Sequence, residues 1–208
     1  MSKAQELDLL FTPVFRCSFP HVFAPQKPKN RANDVTAKDK FGVMAIWTPA
    51  EFDAAEKARW MKIMEALNAR CIQKYGKPYK DVPPNIKKPF HRGDEKAKYG
   101  WTDKQVYANL TSNNKPGIVA ADGRTKIVDA SGFYSGCYAR ATVNVYDYSN
   151  TGIGVALGLN NLMFVKDGER LDNRLEAEDE FSEFAAPEVS GGSLDDFLSG
   201  NDSDDIPF

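Results

Sequence analysis

The 208-residue chain is 42% hydrophobic and 27% charged, which allows one well-buried domain with appendages. No apolar run reaches the about eighteen residues of a membrane-spanning helix, and the acid-bearing start Met1-Ser2-Lys3-Ala4-Gln5-Glu6 argues against a secretory signal. The net charge of −2 conceals a division: residues 175–208 hold eleven acids and no Lys or Arg, so residues 1–174 carry 27 bases against 18 acids, and such asymmetry points to a polyanion partner or a protein-docking tail.

In chain order, Leu7 to Phe23 reads as a strand rich in Phe and Val, with Pro13 marking an edge or bend. Pro25-Gln26-Lys27-Pro28-Lys29-Asn30-Arg31 is a basic, proline-broken loop, and Phe41 to Trp47 is a second apolar strand. Thr48-Pro49-Ala50-Glu51 carries the signs of a helix start, namely Thr as N-cap, Pro in the first position and Glu51 completing a capping box. The helix, about residues 49–75, continues through Ala54, Ala58, Met61, Met64, Ala66, Leu67 and Ile72 at helical spacing. Gly76 stops it, with Pro78 beyond.

Residues 76–101 form a Lys/Pro/Gly loop long enough to suggest function or mobility. Strands follow at Gln105–Thr111, Ile118–Ala121 and Thr125–Val128, the last two joined by an Asp122-Gly123 turn. Two longer strands, Cys137–Tyr148 and Ile153–Val165, are joined through Ser149-Asn150-Thr151-Gly152. Residues 175–208 read as a disordered tail. Five to seven strands and one helix predict a mainly β chain built on a small closed barrel.

Residues 138–148 separate by parity. Ala139, Ala141, Val143, Val145 and Asp147 alternate with Tyr138, Arg140, Thr142, Asn144, Tyr146 and Tyr148. Strand side chains alternate faces, so one face suits a core while the other offers rings, a cation and hydrogen-bonding groups. That mix suits an unpaired nucleic-acid strand, because bases stack on aromatic faces and cations meet phosphates. The competing explanation is that tyrosine is simply a good strand residue on a half-exposed face.

Tyr107 is a second stacking candidate, opposite in parity to Val106, Ala108 and Leu110. Trp101 is another, whereas Trp47 and Trp60 suit packing. In the last strand Ile153, Val155, Leu157, Leu159, Met163 and Val165 form an apolar face. Gly152, Gly154, Ala156 and Gly158 form a bare one, open to a helix, a backbone or a nucleic acid. Lys27, Lys29, Arg31, Lys87, Lys88, Arg92, Lys115, Arg124 and Lys126 lie in loops that could line a groove, and their sum matters more than any one of them.

The chain ends Asp202-Ser203-Asp204-Asp205-Ile206-Pro207-Phe208. This tip resembles that of bacterial single-stranded DNA-binding proteins, acids followed by Ile-Pro-Phe. The resemblance implies that Asp204, Asp205, Ile206, Pro207 and Phe208 recruit replication, repair and recombination proteins, the Phe filling an apolar pocket while acids steer docking. It also implies that the acids compete with DNA for the basic groove. A generic solubility tail is the plain alternative.

The body is similar instead to phage-encoded single-stranded DNA-binding proteins with an oligonucleotide/oligosaccharide-binding (OB) barrel. The residues bearing this are Gly136-Cys137-Tyr138-Ala139-Arg140-Ala141, Gly158-Leu159-Asn160-Asn161 and Lys166-Asp167-Gly168-Glu169. That similarity, over roughly residues 100–170, implies a five-stranded barrel in residues 1–174, strand-face aromatics on DNA, and a role in phage replication or recombination. The helix and basic loop are then an insertion.

Other classes fit less well. His21 and His91 lie in no metalloprotease pattern, and Gly152-x-Gly154-x-x-x-Gly158 is not a dinucleotide fingerprint, so neither an enzyme nor a cofactor is expected, a nuclease being the enzyme class weighed. Cys17, His21, Cys71 and Cys137 lack the paired spacing of a zinc site, so no metal is expected, and three scattered cysteines fit a reducing cytoplasm, the host's if the chain is phage-encoded. A DNA mimic leaves the basic body unexplained. Duplex DNA or RNA binding stays open as an alternative, since stacking and phosphate contacts do not read sequence, and a homo-oligomer is compatible with the sequence.

Overall fold

A computed structural model describes residues 9–27, 36–149 and 152–171, and in it the first expected strand is broken at Pro13. It runs as β1 (Leu10–Phe11) and β2 (Phe15–Gln26). Pro13 has no N–H to donate, and Thr12 fills the gap: its N–H donates to the Ala141 carbonyl and its hydroxyl accepts from the Ala141 N–H, both at 2.9 Å. The strand also extends through Pro25 and Gln26, which the sequence reading placed in a loop. Lys29 and Arg31 lie outside the described residues.

Next come β3 (Lys40–Trp47), helix α1 (Ala54–Tyr75), β4 (Ile86–Lys87), β5 (His91–Arg92), β6 (Val106–Ser112), β7 (Gly117–Val119), β8 (Tyr138–Tyr148) and β9 (Ile153–Lys166). Five of these close on themselves in the order β2-β3-β6-β9-β8 and back to β2. Every neighbouring pair in the ring is antiparallel except β6 and β9, which run parallel. A five-stranded ring of this kind is the OB barrel. Among the described residues no helix is long and apolar enough to cross a membrane.

The helix begins five residues later than expected. Pro49–Glu51 forms a separate 3₁₀ turn, and Asp53 is the N-cap of α1, its carboxylate accepting from the Glu56 N–H at 2.7 Å. Two overlapping start signals compete here, and Phe52 is extended, with its ring 5.8 Å from that of Trp60. The stop is as predicted: Gly76 takes a left-handed φ of 68° and its N–H reaches the Ile72 carbonyl. The buried stripe is Ile63, Leu67 and Cys71, one turn apart, while Met61 and Ile72 are exposed.

Residues 76–101 are not a plain loop. Val82 and Ile86 are buried, and Phe90 lies 4.5 Å from Trp60 and 5.9 Å from Trp47. The rings of Phe15, Trp47, Trp60 and Phe90 thus join barrel, helix and insertion in one core, and Trp47 donates from Nε1 to the Pro13 carbonyl at 3.2 Å. The expected hairpin after β7 is short, its second arm reduced to one bridge between Val119 and Lys126.

β9 does not keep one apolar face. Its pairing with β8 steps over Asn160 and again over Val165, and each extra residue reverses which side faces inward. Val155, Leu157 and Leu159 are buried before the first bulge. After it Leu162 is buried and Phe164 packs on the core, so Met163 and Val165 turn to the opposite side.

Candidate nucleic-acid interface

β8 alternates as its parity predicts. Ala139, Ala141 and Val143 are buried, while Tyr138, Arg140, Thr142, Asn144, Tyr146 and Tyr148 stay partly or fully exposed. Ten steps separate Tyr138 from Tyr148, roughly 33 Å at strand rise. The two ends are therefore different places.

At the Tyr138 end the groups are committed elsewhere. Arg140 donates to the Glu56 carboxylate at 2.6 Å, with both side chains 16% exposed. The other carboxylate oxygen of Glu56 accepts from the Val14 N–H at 3.2 Å. This arginine ties β8 to the first turn of α1 instead of facing a phosphate. The Tyr138 ring has the Lys166 ammonium 4.6 Å from its centroid and Gly168 against its edge.

At the other end the Tyr146 and Tyr148 rings lie 6.5 Å apart, tilted by 53°. They register opposite Ala156 and Gly154 of β9, and Asn144 opposite Gly158. A Cβ on Gly154 would sit 2.7 Å from the Tyr148 hydroxyl and 2.7 Å from the Lys87 carbonyl; one on Gly158 would sit 2.5 Å from the Asn144 side-chain oxygen. The bare side of β9 is therefore the floor on which Tyr148 and Asn144 lie. Lys87 is exposed, pairs with Gly154 from β4, and carries its ammonium to within 3.5 Å of where a Cβ on Gly152 would sit, which places a cation at the β9 entrance next to the floor.

Helix α1 braces this end from behind. Asp147 lies 3.1 Å from Lys74 and 3.6 Å from Arg70. The hydrogen bond from Lys74 chiefly holds its carboxyl below the usual range. Tyr75 donates to the Gly154 carbonyl at 3.1 Å. Burial, then the neighbouring Tyr146 and Tyr75, pushes the Tyr148 phenol up.

Gly154→Ala should lower stability by about 1–3 kcal/mol, because the new methyl meets the fixed Lys87 carbonyl. Thermal unfolding checks it, and an unchanged midpoint would show that the floor has room to spare.

The other expected positions divide. Tyr107 and Trp101 are buried, in contact with each other and Ile46, because residues 91–101 fold over the outer face of β3 and β6. Neither presents a free face to a base. Arg92 is fixed by two hydrogen bonds to Asp94, and Lys88 lies 5.0 Å over the Tyr79 ring. Lys115 and Lys126 line a groove of about 260 Å³ together with Phe23, Ile118 and the exposed Val128. Arg124 is exposed in the turn capped by Asp122. Asp204, Asp205, Ile206, Pro207 and Phe208 lie outside the described residues.

Register also builds a feature that sequence reading missed. Gly42, Thr111, Gly158 and Asn144 are successive partners across β3, β6, β9 and β8, which gives a polar row on the outer side in which Asn144 is exposed, Thr111 is half-buried and the two glycines are covered. Beyond it, on β2, Phe19 meets Tyr99 of the insertion at 5.6 Å. A Phe inside an apolar strand and a Tyr inside a Lys-rich segment carry no signal of their own. Only the insertion's fold brings them together.

The chain resembles known proteins in sequence and in fold. It is 26% identical over 160 residues to protein p50 of Acyrthosiphon pisum secondary endosymbiont phage 1, covering 74% of this chain and 81% of that one. The C-terminally truncated single-stranded DNA-binding protein of bacteriophage Enc34 superposes with a TM-score of 0.62 at 16% identity, over 77% of this chain and 86% of that one. The same phage protein in complex with ssDNA gives 0.60 at 15%, over 77% and 87%. Bacteriophage T7 gp2.5, a single-stranded DNA-binding protein, gives 0.52 at 14%, over 81% and 97%. These structural likenesses establish the fold. Residues 9–190 match the family model described as Enterobacter phage Enc34, ssDNA-binding protein, and the chain belongs to that family.

Proposed function

We propose that the protein binds single-stranded DNA without sequence preference and protects it during phage genome replication, recombination or repair, in the host cytoplasm. The observation that carries this reading is the Tyr146–Tyr148 pair, held on the glycine floor of β9, braced by α1 and flanked by Lys87. Bases stack on the rings and phosphates meet the cation; Asn144 offers hydrogen bonds. Ring faces accept any base, so binding is indifferent to sequence. Membership of the Enc34 family and the ssDNA complex of its phage relative support the ligand class. The eleven-acid segment 175–208 serves separately, docking replication and recombination proteins through Asp204–Phe208.

Titration of oligothymidylate, with tyrosine and tryptophan fluorescence followed, tests the reading. Quenching is expected, with log affinity falling linearly against log salt at about 0.7 per neutralised phosphate. Competition by duplex DNA and by RNA at fixed salt should be weaker. Equal competition by duplex would replace the reading with general nucleic-acid binding. Deleting residues 200–208 should leave oligothymidylate affinity intact or tighter and abolish partner capture; weakened affinity would reverse that division of labour.

A further inference from the structure

We infer that Phe19 and Tyr99, with Lys96 and Lys98, form a second nucleotide platform on the far side of the polar row from Tyr146. This inference rests on the single-stranded DNA reading above and extends its path.

Three features converge on these residues. First, Phe19 has a φ of 47°, the only positive value at a non-glycine residue among those described. It sits where the pairing of β2 with β3 slips between Ser18 and His21. Left-handed backbone at a bulky residue persists only when its surroundings hold it there, and such positions cluster at ligand-contacting sites.

Second, Tyr99 meets Phe19 edge-on at 72° and is itself 43% exposed. The ring contacts continue from Tyr99 to Trp101 at 6.0 Å and from Trp101 to Tyr107 at 5.4 Å. Trp101 and Tyr107 are the buried root of this series, and Tyr99 is its exposed end. A ring anchored from behind and open in front loses little freedom when a base stacks on it.

Third, the charges around it are sorted. Lys98 lies 5.0 Å from the Tyr99 centroid, and Lys96 lies 5.7 Å from Tyr99 and 5.3 Å from Tyr107. The acids of the same segment are engaged elsewhere, Asp94 with Arg92 and Glu95 with His91 and the Tyr107 hydroxyl. Among the described residues, two ammonium groups therefore stand beside an exposed ring without a carboxylate holding them. That is the pairing of stacking face and cation a single strand uses.

The two platforms are joined by the row Asn144, Gly158, Thr111 and Gly42. From β8 through β9, β6 and β3 to β2 is four strand spacings, roughly 19 Å along the surface. A path of that length takes several nucleotides of an unpaired strand, compatible with the site sizes of about 4–16 nucleotides of one OB barrel.

The test is affinity against oligothymidylate length. For Tyr99→Ala we expect a loss of about 5- to 150-fold on an oligomer of about 16 nucleotides and none on one of about 4, which the first platform holds alone. Tyr99→Phe should bind both as the unaltered protein does. Lys96→Gln with Lys98→Gln should lower the salt slope on the long oligomer by about 1.4. Unchanged affinity of Tyr99→Ala at both lengths, or an unchanged salt slope in the lysine variant, would overturn the second platform while leaving the first intact. Loss of short-oligomer binding in Tyr99→Ala with the thermal midpoint preserved would also overturn it, since one site would then serve both lengths. If no length of oligothymidylate binds the unaltered protein, the parent reading fails instead.

Discussion

Replacing Tyr146 and Tyr148 together by Ala should weaken oligothymidylate binding by about 2–4 kcal/mol, roughly 30- to 1000-fold. Each base–ring stack contributes roughly 1–3 kcal/mol, and the pair should give less than twice the larger value because the rings adjoin and share neighbours. The barrel should survive. Both rings lie on the outer side of β8, and the inner side at that end is fixed by Asp147 to Lys74 and Arg70. Phe at both positions should bind almost as tightly, since stacking uses the ring face and not the hydroxyl. The salt slope should not change, because no charge is removed. Wild-type affinity in the double Ala variant would mean that β8 is not the stacking surface.

What the sequence made legible follows from which signals are local. Strand parity in residues 138–148 placed Ala139, Ala141 and Val143 inward, and the structure agrees. A glycine stop ended the helix at Gly76. The closed barrel followed from the number and spacing of apolar runs and from the OB resemblance, and the ring of β2, β3, β6, β9 and β8 is what forms.

Contacts with partners distant in the chain leave no local signal. Arg140 looked free because its acid, Glu56, lies 84 residues away. Tyr107 and Trp101 looked exposed because the segment that covers them read as solvent-facing Lys, Pro and Gly. Its anchors, Val82, Ile86 and Phe90, are single apolar residues among Pro, Asn and Lys, too few to mark a buried element. Met163 and Val165 fall on the outer side against their parity because the bulge at Asn160 is visible only in the pairing with β8. Parity is secure along an unbroken strand and fails at the first inserted residue.

The second large effect concerns Arg140, and it falls on stability. Arg140→Met should lower the thermal midpoint by about 5–15 °C. That shift corresponds to about 2–4 kcal/mol, near the lower end of the roughly 3–5 kcal/mol for breaking a fully enclosed pair. Removing the guanidinium leaves Glu56 confined between α1 and β8, held by the Val14 N–H at 3.2 Å and by Arg59 at 3.6 Å. Glu56→Ala should cost a similar amount. The double variant should cost less than the sum, because each single change strands the other partner's charge whereas the double removes both. Folded Arg140→Met should keep its oligothymidylate affinity and its salt slope. A phosphate ligand behaves in the opposite way, lowering the slope by about 0.7 with little change in midpoint. That second pattern would return Arg140 to the DNA surface, and it would mean that the 2.6 Å contact with Glu56 opens when the strand arrives.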